Sequence, residues 1–85
     1  GMICIAPAIA ARLFPGVDLT IGSDPDTAGA LEKMGAHHKA CPVEAFVCDE
    51  RARVVSCPAY MLGPSIKGVA AGIEKLVGEV LRLAN

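Results

Sequence analysis

The chain has no tryptophan, one tyrosine and two phenylalanines in 85 residues. Proteins that hold single-stranded nucleic acid stack its bases on aromatic side chains, and this chain has almost none to offer. An excess of charge of one sign is missing too: eight Lys and Arg stand against nine Asp and Glu, for a net charge of −1. Without a basic excess, capture of a phosphate backbone is unsupported, and nucleic acid is not expected as a partner. The four cysteines, Cys4, Cys41, Cys48 and Cys57, include no C-x-x-C pair. Zinc spacing is therefore absent, and so is the dense cysteine framework of a small secreted domain. Free thiols at irregular intervals point to a reducing, cytoplasmic setting. A membrane span is not expected either, because Lys67, Glu74, Lys75, Glu79 and Arg82 interrupt the longest apolar segment. The N-terminus has no charged leader and no small-residue cleavage pattern, and does not read as a signal peptide.

Apolar residues are what the chain has in quantity, at 53% hydrophobic and 20% charged. That composition argues against disorder. A single domain of this size buries about 60–65% of its unfolded surface. So apolar a chain has more to hide than a lone small domain can cover, which implies that another surface packs on it.

The pattern of elements is α/β. Met2 to Ile5 reads as a strand, and Pro7 to Phe14 as a short helix stopped by Pro15-Gly16. Val17 to Ile21 forms the next strand. Ser23 or Asp24 then caps a helix that has Pro25 in its first turn, turns Ala30, Leu31 and Met34 inward, and stops at Gly35. Ala36-His37-His38 is a short third strand, and two crossovers of this kind favour parallel strands with flanking helices. Phe46-Val47-Cys48 and Arg53 to Cys57 flank a polar turn, Asp49 to Ala52, as a β-hairpin. In that register Cys48 falls opposite Arg53 and Cys57 opposite Glu44, too far offset for a disulfide between them. A loop from Ala59 to Gly63 leads to Pro64. Ile66, Val69, Ala70, Ile73, Leu76, Val77, Val80 and Leu81 then repeat at helical spacing, with Gly68 and Gly72 allowing close approach to a sheet.

Cys4 is the residue with most chemical promise. It stands where the first strand meets a helix opened by Pro7. On such a bend a sulfur points outward toward the first N–H groups of the helix, which favour the thiolate. A small buried hydrophobe on a core strand is the alternative role for the same residue. Asp24 fits either a helix cap or an acid/base group. Tyr60, in the loop after the last strand, fits either a ligand contact or a packed aromatic. His37 and His38 have no evident partner in Cys4, and Cys41 has no evident partner at all.

Several runs carry a more specific signal: Cys4-Ile5-Ala6-Pro7-Ala8, Leu19-Thr20-Ile21-Gly22, Asp26-Thr27-Ala28, Met34-Gly35-Ala36, Cys41-Pro42-Val43 and Pro58-Ala59-Tyr60-Met61-Leu62. With Gly72-Ile73 and Lys75-Leu76-Val77, they resemble the C-terminal part of ElbB-type proteins, in the PfpI and class I glutamine amidotransferase-like superfamily. The resemblance covers residues 1–85 as one partial domain and implies a partial flavodoxin-like sandwich with a nucleophile elbow at Cys4. The activity it implies is glyoxalase-like, converting glyoxal to glycolate through a Cys4 adduct, without cofactor or metal. Ile5, beside the nucleophile, and Tyr60 are the implied substrate contacts. The family's N-terminal half would add a glutamate and a Gly-Gly loop; without them activity is impaired. Many relatives outside the ElbB branch have a histidine where Ser23-Asp24 stands, leaving Asp24 as the local acid/base candidate. The implied partners are a small aldehyde and either the missing half or a second copy of the chain. The alternatives are a non-catalytic self-associating remnant and a thiol-sensor module.

Overall fold

The computed structural model describes residues 1–61 and 65–84. Leu62, Gly63 and Pro64, in the loop expected before the last helix, lie outside the described residues. In chain order the elements are strand β1 (Met2–Ile3), helix α1 (Pro7–Leu13), β2 (Asp18–Leu19), α2 (Pro25–Lys33), β3 (His37–His38), β4 (Val47–Asp49), β5 (Val54–Cys57), a 3-10 turn (Ala59–Met61) and α3 (Ile66–Ala84). The architecture is the expected α/β one, with strands shorter than the sequence pattern implies.

β5 is the middle strand of a three-stranded mixed sheet. β1 pairs with it in parallel, Met2 opposite Ser56 and Ile3 opposite Cys57. β4 pairs antiparallel on its other side, Val47 opposite Ser56 and Asp49 opposite Val54. β2 and β3 form a separate parallel pair, Asp18 opposite His37. This pair is tied to the larger sheet by side chains. The Asp18 N–H donates to Asp49 Oδ2 at 2.8 Å and the Thr20 N–H to Ser56 Oγ at 3.0 Å. Asp49 sits opposite Val54, so the two bonds advance along β2 and β5 in the same sense. β1, β2, β3 and β5 thus all run one way, and their carboxyl ends share one edge.

Alternation along β5 divides the core, because successive side chains leave opposite faces of a strand. Val54 joins a cluster with Leu19, Ile21, Leu31 and the alanines of α1. Val55 and Cys57 face the other way, against Leu76 of α3. All four residues of β5 are buried. Burying side chains of this size stabilises the fold by roughly 1.5–3 kcal/mol each.

Four expectations need correction. The hairpin register is displaced: Cys48 lies opposite Val55, not Arg53. Arg53 has φ 57 and belongs to the turn, and Asp49 Oδ1 accepts the Ala52 N–H at 2.9 Å, so the turn begins after Asp49. In α2 only Leu31 is buried; Ala30 and Met34 are exposed. In α3 the buried face is Val69, Gly72 and Leu76, while Ile66, Val77 and Leu81 face outward. Periodicity marks an apolar arc, and the arc is wider than its contact with the sheet. Finally, Gly72 permits close approach to the loop before β4, not to the sheet. A Cβ there would collide with the Val43 carbonyl oxygen.

Two outcomes follow. Gly72→Ala should lose about 2 kcal/mol or more in denaturant unfolding, because backbone cannot yield as a side chain can. Gly78→Ala, with open space around its Cβ, should gain about 0.5–1 kcal/mol in helix propensity; equal effects would contradict this packing. The Asp49 carboxyl is held below the ordinary aspartate value, first by the Ala52 N–H and then by that of Asp18. Its stabilisation is therefore complete above about pH 4 and drains away as pH falls through the lower folded value. Asp49→Ala should cost about 2 kcal/mol at pH 7, from bonds to a charged acceptor. The wild-type advantage should vanish near about pH 2, and a difference independent of pH would contradict the assignment.

Candidate active site

Cys4 closes β1 and has φ 64, a left-handed conformation that a residue with a Cβ rarely adopts. Its N–H donates to the Cys57 carbonyl at 3.0 Å, extending the β1–β5 ladder by one rung. The chain then turns sharply: the Ala6 N–H donates to Ile3, the Ala8 N–H to Ile5, and α1 begins at Pro7. This is a strand-to-helix elbow with a half-buried thiol at its apex. The early amides of the helix are not aimed at the sulfur as expected, since they serve the turn and Pro7 has none. Among the described residues the Ile5 N–H has no acceptor. That leaves one backbone donor without an acceptor next to Cys4 in the chain. Ile5 itself is 52% exposed.

The other sites expected from sequence distribute themselves along the same edge. Asp24 follows β2 and is the N-cap of α2, accepting from the Thr27 N–H and hydroxyl. Those bonds hold its carboxyl below the ordinary range, so it is a carboxylate at neutral pH. Tyr60 lies in the 3-10 turn after β5, three residues beyond the carbonyl that anchors Cys4, and is 64% exposed. His37 is exposed, whereas His38 Nε2 accepts the Ile21 N–H at 3.4 Å, a structural contact. Cys41 donates to Thr20 Oγ1 at 3.5 Å. In open α/β sheets ligands bind outside the carboxyl ends of the strands, and Cys4, Asp24, Cys41 and Tyr60 each follow the carboxyl end of one of the parallel strands.

Two features lie elsewhere. A cavity of about 200 Å³ opens between α3 and the hairpin turn, lined by Gly1, Arg53, Val55, Val80, Leu83 and Ala84. On the same side Cys48, Glu50 and Glu79 bring a thiol and two carboxylates within 4.8 Å of one another. Arg82 bonds both carboxylates, at 2.9 Å to Glu50 and 2.6 Å to Glu79, so a side-chain cation already serves them.

Sequence reasoning missed the anchors of the site. Thr20 and Ser56 are fully buried polar residues in an otherwise apolar core, and their bond locks β2 to β5. The signal was present as a hydroxyl inside the run Val54-Val55-Ser56-Cys57, but a strand pattern does not say what a serine meets.

No family model matches the chain. Curated relatives do: it is 33% identical to the ES1 protein homolog, mitochondrial, of Rattus norvegicus over all of this chain and 35% of that protein. The same identity and coverage hold for the human glutamine amidotransferase-like class 1 domain-containing protein 3, mitochondrial. The ES1 protein, mitochondrial, of Danio rerio is 30% identical over 98% of this chain. Among solved structures, an isoprenoid biosynthesis protein with an amidotransferase-like domain from Ehrlichia chaffeensis superposes with a TM-score of 0.87 at 32% identity. That alignment covers 98% of this chain and 39% of the other. The chain belongs to the class I glutamine amidotransferase-like superfamily. It spans about a third of the length of the curated relatives it matches. The flavodoxin-like character of the fold holds with it. The cytoplasmic location read from the cysteines is overturned, because these relatives are named mitochondrial. Reduced thiols separate reducing from oxidising compartments and cannot separate one reducing compartment from another. Among the described residues no helix is long and apolar enough to cross a membrane.

The environments of the remaining thiols differ in a measurable way. Burial pushes the Cys41, Cys48 and Cys57 thiols up, and the carboxylates of Glu79 and Glu50 add to this at Cys48. Cys57 is also fully enclosed. At about pH 8 its alkylation should proceed only at the rate of global unfolding, because the thiolate is the reactive form. Faster labelling of Cys57 in the native chain would contradict the packing of α3 on β5.

Proposed function

We propose that this chain carries the nucleophile-bearing part of an ElbB-type, glyoxalase-like domain, its C-terminal part, with Cys4 as the reacting thiol. The observation that supports the reading most directly is the elbow: a strained cysteine at the carboxyl end of the half-buried parallel strand β1, with the Ile5 N–H, which has no acceptor among the described residues, beside it. The chemistry suits an α-dicarbonyl. The Cys4 thiolate adds to one aldehyde carbon of glyoxal and forms a hemithioacetal. Loss of the proton from that carbon and its return to the neighbouring carbon, through an enediol, yields a thioester of glycolate. Water cleaves the thioester, releasing glycolate and the free thiol. One carbon is oxidised and its neighbour reduced, so the sequence balances without a cofactor.

In this reading the Ile5 N–H receives the oxyanion, and Tyr60 and the Ile5 side chain, both exposed, contact the substrate. Asp24 is the acid/base candidate on this edge, although its carboxylate already serves Thr27. The relatives' additional length is where further donors and a base would come from. Loss of one oxyanion donor alone lowers rates by roughly 10²–10³, so turnover by this chain alone is expected to be slow.

A second reading is favoured by one surface. Ile5, Ile9 and Leu13 are spaced four residues apart and are 52, 59 and 63% exposed, beside the unpaired edge of β1. An apolar stripe along an open strand edge is a docking surface for a second copy or for the remainder of the domain.

Alkylation by iodoacetamide, mapped to each cysteine with and without glyoxal, tests the first reading. Cys4 should react fastest, glyoxal should slow labelling at Cys4 but not at Cys48, and glycolate should form only while Cys4 is present. Equal labelling of Cys4 and Cys48, or glycolate formation unchanged in Cys4→Ala, would remove the proposal.

A further inference from the structure

Among the described residues three non-glycine residues have positive φ, and two of them stand at the ends of neighbouring strands. Cys4 (φ 64) closes β1, and Ala59 (φ 47) follows β5 after Pro58; the third, Arg53, turns the hairpin. Residues with a Cβ persist in this conformation only where the surroundings over-determine it, and such strain gathers at functional sites. Ala59 is 1% exposed and supports Tyr60, which is 64% exposed.

Cys57 touches both bends. Its carbonyl accepts the Cys4 N–H at 3.0 Å, and Ala59 follows it directly after Pro58. Its side chain is fully buried against Val55 and Leu76, so it has little freedom to follow either bend. The carbonyl belongs to the Cys57–Pro58 peptide, which has no N–H of its own to hold it in a ladder. Its direction is set instead by the chain beyond, which Ala59 turns into the left-handed region.

We propose that Cys57 and Ala59 are positioning residues for Cys4: the strained bend after β5, clamped to the elbow through Cys57, fixes the angle at which the Cys4 sulfur leaves β1. The inference rests on the reading of Cys4 as the reacting thiol. It makes Cys57 an element of the site that never touches substrate, and it makes the Ala59 methyl a source of reactivity instead of a flaw.

The test compares iodoacetamide rates at Cys4 in the native chain and in four variants. Ala59→Gly accepts the left-handed conformation without strain but does not enforce it. It should leave the melting temperature level or higher while Cys4 labelling falls by about tenfold, since small displacements of a reacting atom are costly in rate. Arg53→Gly, the same change at the strained residue remote from the site, should leave the Cys4 rate unchanged. Cys57→Ala should slow Cys4 as Ala59→Gly does, and Cys57→Ser, which nearly keeps the side-chain volume at this enclosed position, should restore most of the rate. A merely structural role would move the melting temperature and not the rate. Wild-type labelling at Cys4 in both Ala59→Gly and Cys57→Ala overturns the inference alone. Wild-type protein in which Cys4 is no faster than Cys48 removes the reading of Cys4, and the inference with it.

Discussion

Everything in this molecule depends on β5 being buried on both faces and paired on both edges. Four residues, Val54 to Cys57, serve two hydrophobic clusters, two strands and the link to β2. Side chains of this one strand reach both clusters, and an 85-residue chain has few contacts elsewhere to replace it. The hydroxyl of Ser56 is the polar exception and is matched to the Thr20 N–H, so burial leaves it satisfied. The same strand lends Cys4 the carbonyl of Cys57. Stability and chemistry therefore share one element, and a residue that loosens β5 loosens the elbow.

The site is open where the core is closed. Cys4, the Ile5 N–H, Asp24 and Tyr60 lie beyond the carboxyl ends of the parallel strands, and Ile5, Ile9 and Leu13 are exposed along the elbow and α1. A doubly wound sheet keeps both faces of each parallel strand covered, whereas β1 here is only half-buried. The strain at Cys4 and Ala59 survives because β5 and α3 hold both ends.

Much of this was legible from local sequence. Pro7 after Cys4 announced the elbow, Asp24 with Pro25 the start of α2, and the long apolar period the last helix; each is set by residues a few positions apart. What was not legible depends on tertiary partners. The hairpin register hinges on Arg53 adopting a left-handed turn conformation that favours glycine, which no propensity suggests. The exposure of Ile66, Val77 and Leu81 depends on how much of α3 the small sheet can cover. The roles of Thr20, Ser56 and Cys57 depend on which strands lie side by side. Within the candidate site, Cys4, Ile5, Asp24 and Tyr60 were reachable from motif and position, whereas the anchors that orient Cys4 were not.

Amide hydrogen exchange in the native state addresses the central claim most directly. If Cys4 is the last rung of a ladder built on β5, its N–H exchanges as slowly as those of the β5 core, by global unfolding. Exchange of the Cys4 amide at the rate of an open turn, while β5 stays protected, would show that the elbow is not held by Cys57 and would contradict the account.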